Sequence, residues 1–261
     1  MLIELIRNGS NYSVREVVLM IIVMFFALTV SFSFHEFMHA AVATWLGDDT
    51  PKLYGRVTMN PRAHLDPMGT ILLLLVGFGW GKPVTYNPNN LRRFKSKRLM
   101  NIMVSLAGVT GNFIIALVSM CLIAVILVLT KHTQVIPYSE SLMLVMNGLD
   151  NTGDIPFYAA VIIYLLFYTY MFSMSLLAFN LLPIPPLDGF HVVERLLPVK
   201  VTYSEGFRKF ARYGPMVLML LIVLGNFGNI DILGTIMDYI SLPANIVIVI
   251  ISTVIGTLGG L

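Results

Sequence analysis

Two histidines four residues apart, with a glutamate beside the first, stand in His35-Glu36-Phe37-Met38-His39. On an α-helix, residues i and i+4 share one face and lie about 6 Å apart. Two imidazoles so placed can bind one Zn²⁺, and the intervening carboxylate can reach a metal-held water as general base. The run before them, 17–34, carries no charge. Ionisable groups that follow such a run within one apolar helix are costly, which marks them as functional. Ser31 and Ala43 continue the same face and are small enough to let another helix approach.

A catalytic zinc needs a third protein ligand and an open position. Glu140, Asp150 and Asp154 fall in a connection that reads as external, the wrong side for this pair. His64, Asp66 and His191 are possible, and Asp188 is better placed. It follows an apolar span through Asn180-Leu181-Leu182-Pro183-Ile184-Pro185-Pro186-Leu187, where three prolines stop a helix. Asp188-Gly189 then predicts a tight turn that aims the carboxylate inward.

These groups require apolar elements to hold them. Of 261 residues, 57% are hydrophobic and 12% charged, with mean hydropathy +0.81. A soluble domain carries about 25% charged residues, so too little polar surface exists to coat a soluble globule. The expected class is an all-α polytopic membrane protein, a single domain over 1–261 with a core at 15–195 and additional C-terminal helices at 213–258. Spanning segments are expected at 14–46, 99–130, 156–183, 213–226 and 232–258, the fourth being short. Ser13 with Glu16 reads as a capping box, Gly47 as a helix terminator, and Pro215 and Pro243 as helix starts. The segment 70–80 is too short to cross alone and reads as re-entrant, giving about five to six membrane segments in all. No signal peptide is expected ahead of the first span. Cys121, alone in an apolar run, reads as a buried small side chain.

Loops 81–98 and 184–212 are rich in Lys and Arg, whereas 131–155 has only Lys131 and 227–231 has neither. The positive-inside rule places the first two in the cytoplasm and the others outside. Net charge is +3, too small to argue for nucleic acid.

With these residues together, the chain resembles the site-2 protease family of intramembrane metalloproteases. The likeness rests on His35-Glu36-Phe37-Met38-His39, on residues 180–189, and on Ala107-Gly108-Val109-Thr110-Gly111-Asn112. Gly55-Arg56-Val57-Thr58-Met59-Asn60-Pro61, His64-Leu65-Asp66-Pro67 and Gly79-Trp80-Gly81-Lys82-Pro83-Val84 are similar to its compact bacterial branch. The resemblance implies one zinc per chain held by His35, His39 and Asp188, Glu36 as catalytic base, and Asn180 positioning substrate. It implies a site near the cytoplasmic face of a bacterial cell membrane, and a transmembrane protein or peptide as substrate. Val109 stands where the family often has proline, and no PDZ or CBS module is expected. Asn112, Gly77 and Gly79 complete the candidate substrate contacts. Residues 53–59 alternate weakly and are expected to form an exposed strand near the active site, able to pair with an extended peptide.

Two rivals are a metal transporter using the histidine pair in transit and an inactive scaffold of the same fold. A transit path needs charges along the spans, and 99–130 and 156–183 hold none in their interiors. The intact set of His35, Glu36, His39 and Asp188 argues against the scaffold.

Overall fold

In the computed structural model, residues 14–76, 79–130, 156–227 and 231–258 are described. Within them the chain is helical, without a β-sheet. The main helices are α1 (Val14–Trp45), α2 (Pro67–Val76), α3 (Lys97–Leu129), α4 (Phe157–Leu181), α5 (Asp188–Leu196), α6 (Glu205–Phe227) and α7 (Ile232–Leu258). Four stretches are long and apolar enough to cross a membrane: Val17–Trp45, Lys97–Leu129, Tyr158–Leu181 and Ile232–Ile255. This is an all-α polytopic membrane protein. The span expected at 213–226 is the distal part of α6, and the ten residues of α2 reach about 15 Å, half of a bilayer core.

Helices α1, α3 and α4 pack pairwise into a three-helix core, with α7 laid against α3 and α4 and α5 against α3. Side-chain polarity is arranged for lipid. Ile114, Val118 and Leu122 point outward from α3, as do Phe25 and Phe26 from α1, whereas Ser31, Ser33, Asn112, Ser119 and Ser173 are buried. Lipid tails are as apolar as leucine, so close packing and interhelical hydrogen bonds hold such helices together, typically at about 0.6 kcal/mol per polar pair. Ser31 Oγ donates to the Thr169 carbonyl at 3.2 Å, and Ser173 Oγ donates to Ser31 Oγ at 2.9 Å. Met20, Val23, Ile123 and Phe167 fill one end of the core, and Ala43, Leu46, Leu91, Met100 and Val104 the other.

Helix α1 ends as its sequence suggests. Gly47 adopts φ +110°, and Asp48 N–H turns back onto the Ala43 carbonyl at 3.1 Å. Ser13 and its cap lie outside the described residues. Three expectations need correction. Residues 53–59 form no strand: Pro51 starts a one-turn helix, Thr50–Leu53, and Gly55 at φ +64° turns the chain immediately afterwards. Proline at a first turn and a glycine in the left-handed region outweigh a weak alternation. The extended pairing that does occur is an isolated antiparallel bridge between Leu65 and Gly81. Pro215 and Pro243 sit inside α6 and α7 instead of starting them. Helices in lipid tolerate such prolines because hydroxyls, neighbouring helices and local adjustments satisfy the freed carbonyls.

Candidate metal centre

His35 and His39 stand on successive turns of α1, their ring centroids 4.7 Å apart. Prolines 183, 185 and 186 end α4 and fold the chain back through a turn closed by Leu187 N–H on the Ile184 carbonyl, at 3.0 Å. Asp188 is then the first residue of α5, which replaces the tight Asp-Gly turn expected from sequence. Gly189 is needed there, because a Cβ would lie 2.3 Å from the Leu181 carbonyl oxygen. The fold-back delivers Asp188 Oδ2 to 3.3 Å from His35 Nε2 and 3.1 Å from His39 Nε2, and the two Nε2 atoms are 3.1 Å apart.

Three ligand atoms bound tetrahedrally at about 2.0–2.1 Å would be about 3.3 Å apart. The triangle has that size. Asp188 Oδ2 is buried against the two Nε2 atoms, so three atoms able to ligate meet at one point, a cradle suited to a cation. Among the described residues this trio is the cluster able to hold a metal ion. It fits zinc in donor type, number and spacing, with a fourth position left over.

The rings are held from behind. His39 Nδ1–H donates to the Val104 carbonyl at 2.7 Å, which leaves Nε2 as the bare ligand nitrogen. Asn112 lies 3.0 Å from His35 Nδ1. Gly108, between them on α3, touches the cradle: a Cβ there would fall 2.4 Å from His39 Nε2 and 2.6 Å from His35 Nε2. Gly111 gives α1 the same clearance at Met38, with 2.5 Å to Cγ.

Glu36 is buried beside the cradle, and its Oε2 accepts Val84 N–H at 3.2 Å. Val84 belongs to an extended strap fastened at both ends. On one side Lys82 N–H donates to the His64 carbonyl at 2.7 Å. On the other, Asp48 accepts Asn87 N–H at 2.6 Å and Asn90 Nδ2 at 2.9 Å. Burial by itself would raise the Asp48 pKa, but donors from Thr50, Asn87 and Asn90 more than offset it and hold the carboxyl below its ordinary value.

The other ligand candidates have other partners. His64 is buried with Nε2 on the Thr58 carbonyl at 2.8 Å, Asp66 caps α2 through Gly69 N–H at 2.9 Å, and His191 is half exposed beside Glu194. Glu140, Asp150 and Asp154 lie outside the described residues, as does Gly77. Asn180, half-buried, donates its amide to the Leu176 carbonyl at 3.0 Å within α4. Asn112 is fully buried, its oxygen without a partner. Gly79 lines a cavity of about 410 Å³ between α1, α4, α6 and α7, with Leu28, Phe32, Trp80, Phe172 and Phe179.

Sequence reasoning overlooked Gly108, Asp48 and the Val84 amide as parts of the site. Gly108 lies within residues 107–112, where its spacing from Gly111 and Asn112 is the one sequence hint of a role. A backbone N–H has no side-chain signature.

Compared with known proteins, the chain matches the family model described as peptidase family M50 over residues 23–222. It is 39% identical over 206 residues to a Bacillus subtilis (strain 168) protein named as a candidate zinc metalloprotease, YwhC, covering 77% of this chain and 80% of that one. No solved structure matches.

Proposed function

Since the chain belongs to peptidase family M50 and so to the membrane metalloproteases of the site-2 type, we propose that it is a zinc-dependent endopeptidase cutting membrane-protein substrates near the cytoplasmic face. The observation that carries this reading is the meeting of His35, His39 and Asp188 within 3.3 Å, with Glu36 buried on the same helix as the histidines.

Zinc held by the trio would polarise the scissile carbonyl and acidify a water. Glu36 would act as the base, accepting a proton from the attacking water on a carboxylate oxygen and giving it to the leaving nitrogen. The Val84 amide fixes one oxygen of Glu36 by a hydrogen bond, which leaves the other to handle the proton. For His39 the Val104 carbonyl holds a proton on Nδ1, which keeps Nε2 free to face the metal.

The cavity supports an apolar substrate. It is walled mainly by leucine and aromatic side chains and begins one helical turn from the catalytic pair, at Phe32. A transmembrane peptide must unwind before hydrolysis, since its own hydrogen bonds shield its carbonyls. Asn180 follows Phe179 of the cavity wall in sequence, and its amide, released from the Leu176 carbonyl, would engage a freed backbone group, which Gly79 would admit closely. Orientation is supported by Arg98, whose guanidinium donates to the Leu196 carbonyl and so joins the two basic loops on one side.

The test is Glu36→Gln. The purified variant should retain zinc, because the residue is not a ligand, and lose about 10²–10⁴-fold in cleavage of a model transmembrane substrate. Wild-type turnover by that variant refutes the assignment of the base.

A further inference from the structure

Asn112 presents a buried amide with a single polar partner. It is 0% exposed in the middle of α3, on a face that Gly108 and Gly111 allow to press against α1. Its amide nitrogen position is 3.0 Å from His35 Nδ1, and the other amide atom meets no partner. A side-chain amide withdrawn from water and left half satisfied costs about 1–3 kcal/mol. A purely structural amide in a membrane helix finds partners for both its oxygen and its NH₂ on neighbouring groups. Asn112 instead engages the ring whose opposite nitrogen points at Asp188.

An imidazole ligates metal only through a nitrogen that carries no proton, and in the neutral ring the proton then sits on the other nitrogen. His39 meets this requirement through the Val104 carbonyl, a group that can only accept. His35 has no carbonyl at the corresponding place; it has Asn112. As placed, the amide turns its NH₂ to the ring and leaves its oxygen unpartnered, and a half-turn about its terminal bond exchanges the two in the same space. The NH₂ group would draw the Nδ1 lone pair and force the proton onto Nε2, in the metal's position. The oxygen would accept Nδ1–H and free Nε2.

We propose that Asn112 is a positioning residue for the metal: its Oδ1 accepts Nδ1–H of His35, fixes that ring's tautomer and orientation, and sets zinc affinity without touching substrate. The inference rests on the zinc reading above. It assigns the two histidines matched supports drawn from one helix, a backbone carbonyl at 104 and a side-chain carbonyl at 112.

The experiment measures zinc affinity of the purified full-length chain by competition with a chelator at fixed pH, together with apo-protein melting temperature and KM. Asn112→Leu should weaken zinc binding about 10–100-fold, the usual effect of losing a support behind a ligand, without lowering the apo melting temperature in proportion. Asn112→Asp should stay within a few-fold of wild type, since a carboxylate accepts the same proton. Because Asp cannot donate, this variant separates an oxygen-inward from an NH₂-inward amide, and it decides the matter if the leucine variant does not fold. Unchanged zinc affinity in a folded Leu variant, or a folded Asp variant as weak as Leu, overturns the inference. So does a raised KM at saturating zinc with normal metal affinity, the mark of a substrate contact. A wild-type chain that holds no zinc overturns the metalloprotease reading itself, and this one with it.

Discussion

At the residue scale, the centre consists of three ligand atoms with two layers of support. The three residues that could hold a metal were legible in sequence. His35 and His39 announce themselves by helical spacing inside an apolar run, and Asp188 by the prolines that break the chain just before it. Their supports were not legible, because each joins α1 to a residue far along the chain. Val84 lies 48 positions from Glu36 and Asn112 lies 77 from His35. Gly108 is silent for a further reason, since what it contributes is the absence of a side chain. This yields a prediction at two positions. Asp188→Ala removes a ligand and should abolish stoichiometric zinc, read by metal analysis of the purified chain. Gly108→Ala pushes a methyl against both imidazoles and should weaken zinc at least about tenfold while α3 stays helical by circular dichroism. Full zinc in Asp188→Ala would transfer the third-ligand role elsewhere, and wild-type affinity in Gly108→Ala would show that the rings have room to move.

The elements explain how a small alphabet of helices builds a hydrolytic site in lipid. Helix α1 supplies two residues able to ligate a metal and the proposed base, the interrupted end of α4 turns α5 inward with the third, and α3 backs the rings. Helix identity and the proline break could be read from periodicity and composition. The strand expected at 53–59 could not survive Pro51 and Gly55, and the extended element that matters, the strap at Val84, has no alternating pattern because it pairs with a carboxylate and not with a sheet. Its anchor gives a pH prediction. Asp48 has a folded pKa below its unfolded value, so its stabilisation is present above the ordinary carboxylate range and is lost as pH falls through the folded value. Asp48→Asn should lower the melting temperature at neutral pH by an amount equivalent to about 1–3 kcal/mol, the cost of leaving buried donors unpaired. The gap between wild type and variant should shrink as the pH is lowered below the carboxylate range. A gap independent of pH would mean that the charge of Asp48 does not hold the strap.

On the scale of the whole molecule, composition foretold a membrane protein, and the helices place apolar stripes outward and hydroxyls and amides inward. The spans could be counted only approximately, since α6 extends from a polar start into an apolar end. Charge asymmetry predicts the side. In a Cys121→Ser background, a Ser139→Cys probe in the 131–155 connection should be labelled from outside, and probes in 81–98 only from the cytoplasm. Labelling of Ser139→Cys solely from the cytoplasm would invert the orientation.

The central claim is that this chain hydrolyses peptide bonds within membrane-embedded substrates by means of zinc. The most direct measurement reconstitutes the purified protein in liposomes with a single-span substrate and maps the product termini by mass spectrometry. The account predicts a cut inside or at the cytoplasmic edge of the substrate's span, abolished by a chelator, restored by added zinc, and absent with Glu36→Gln. Cleavage confined to soluble loops, or cleavage that persists in the chelated enzyme, would contradict it.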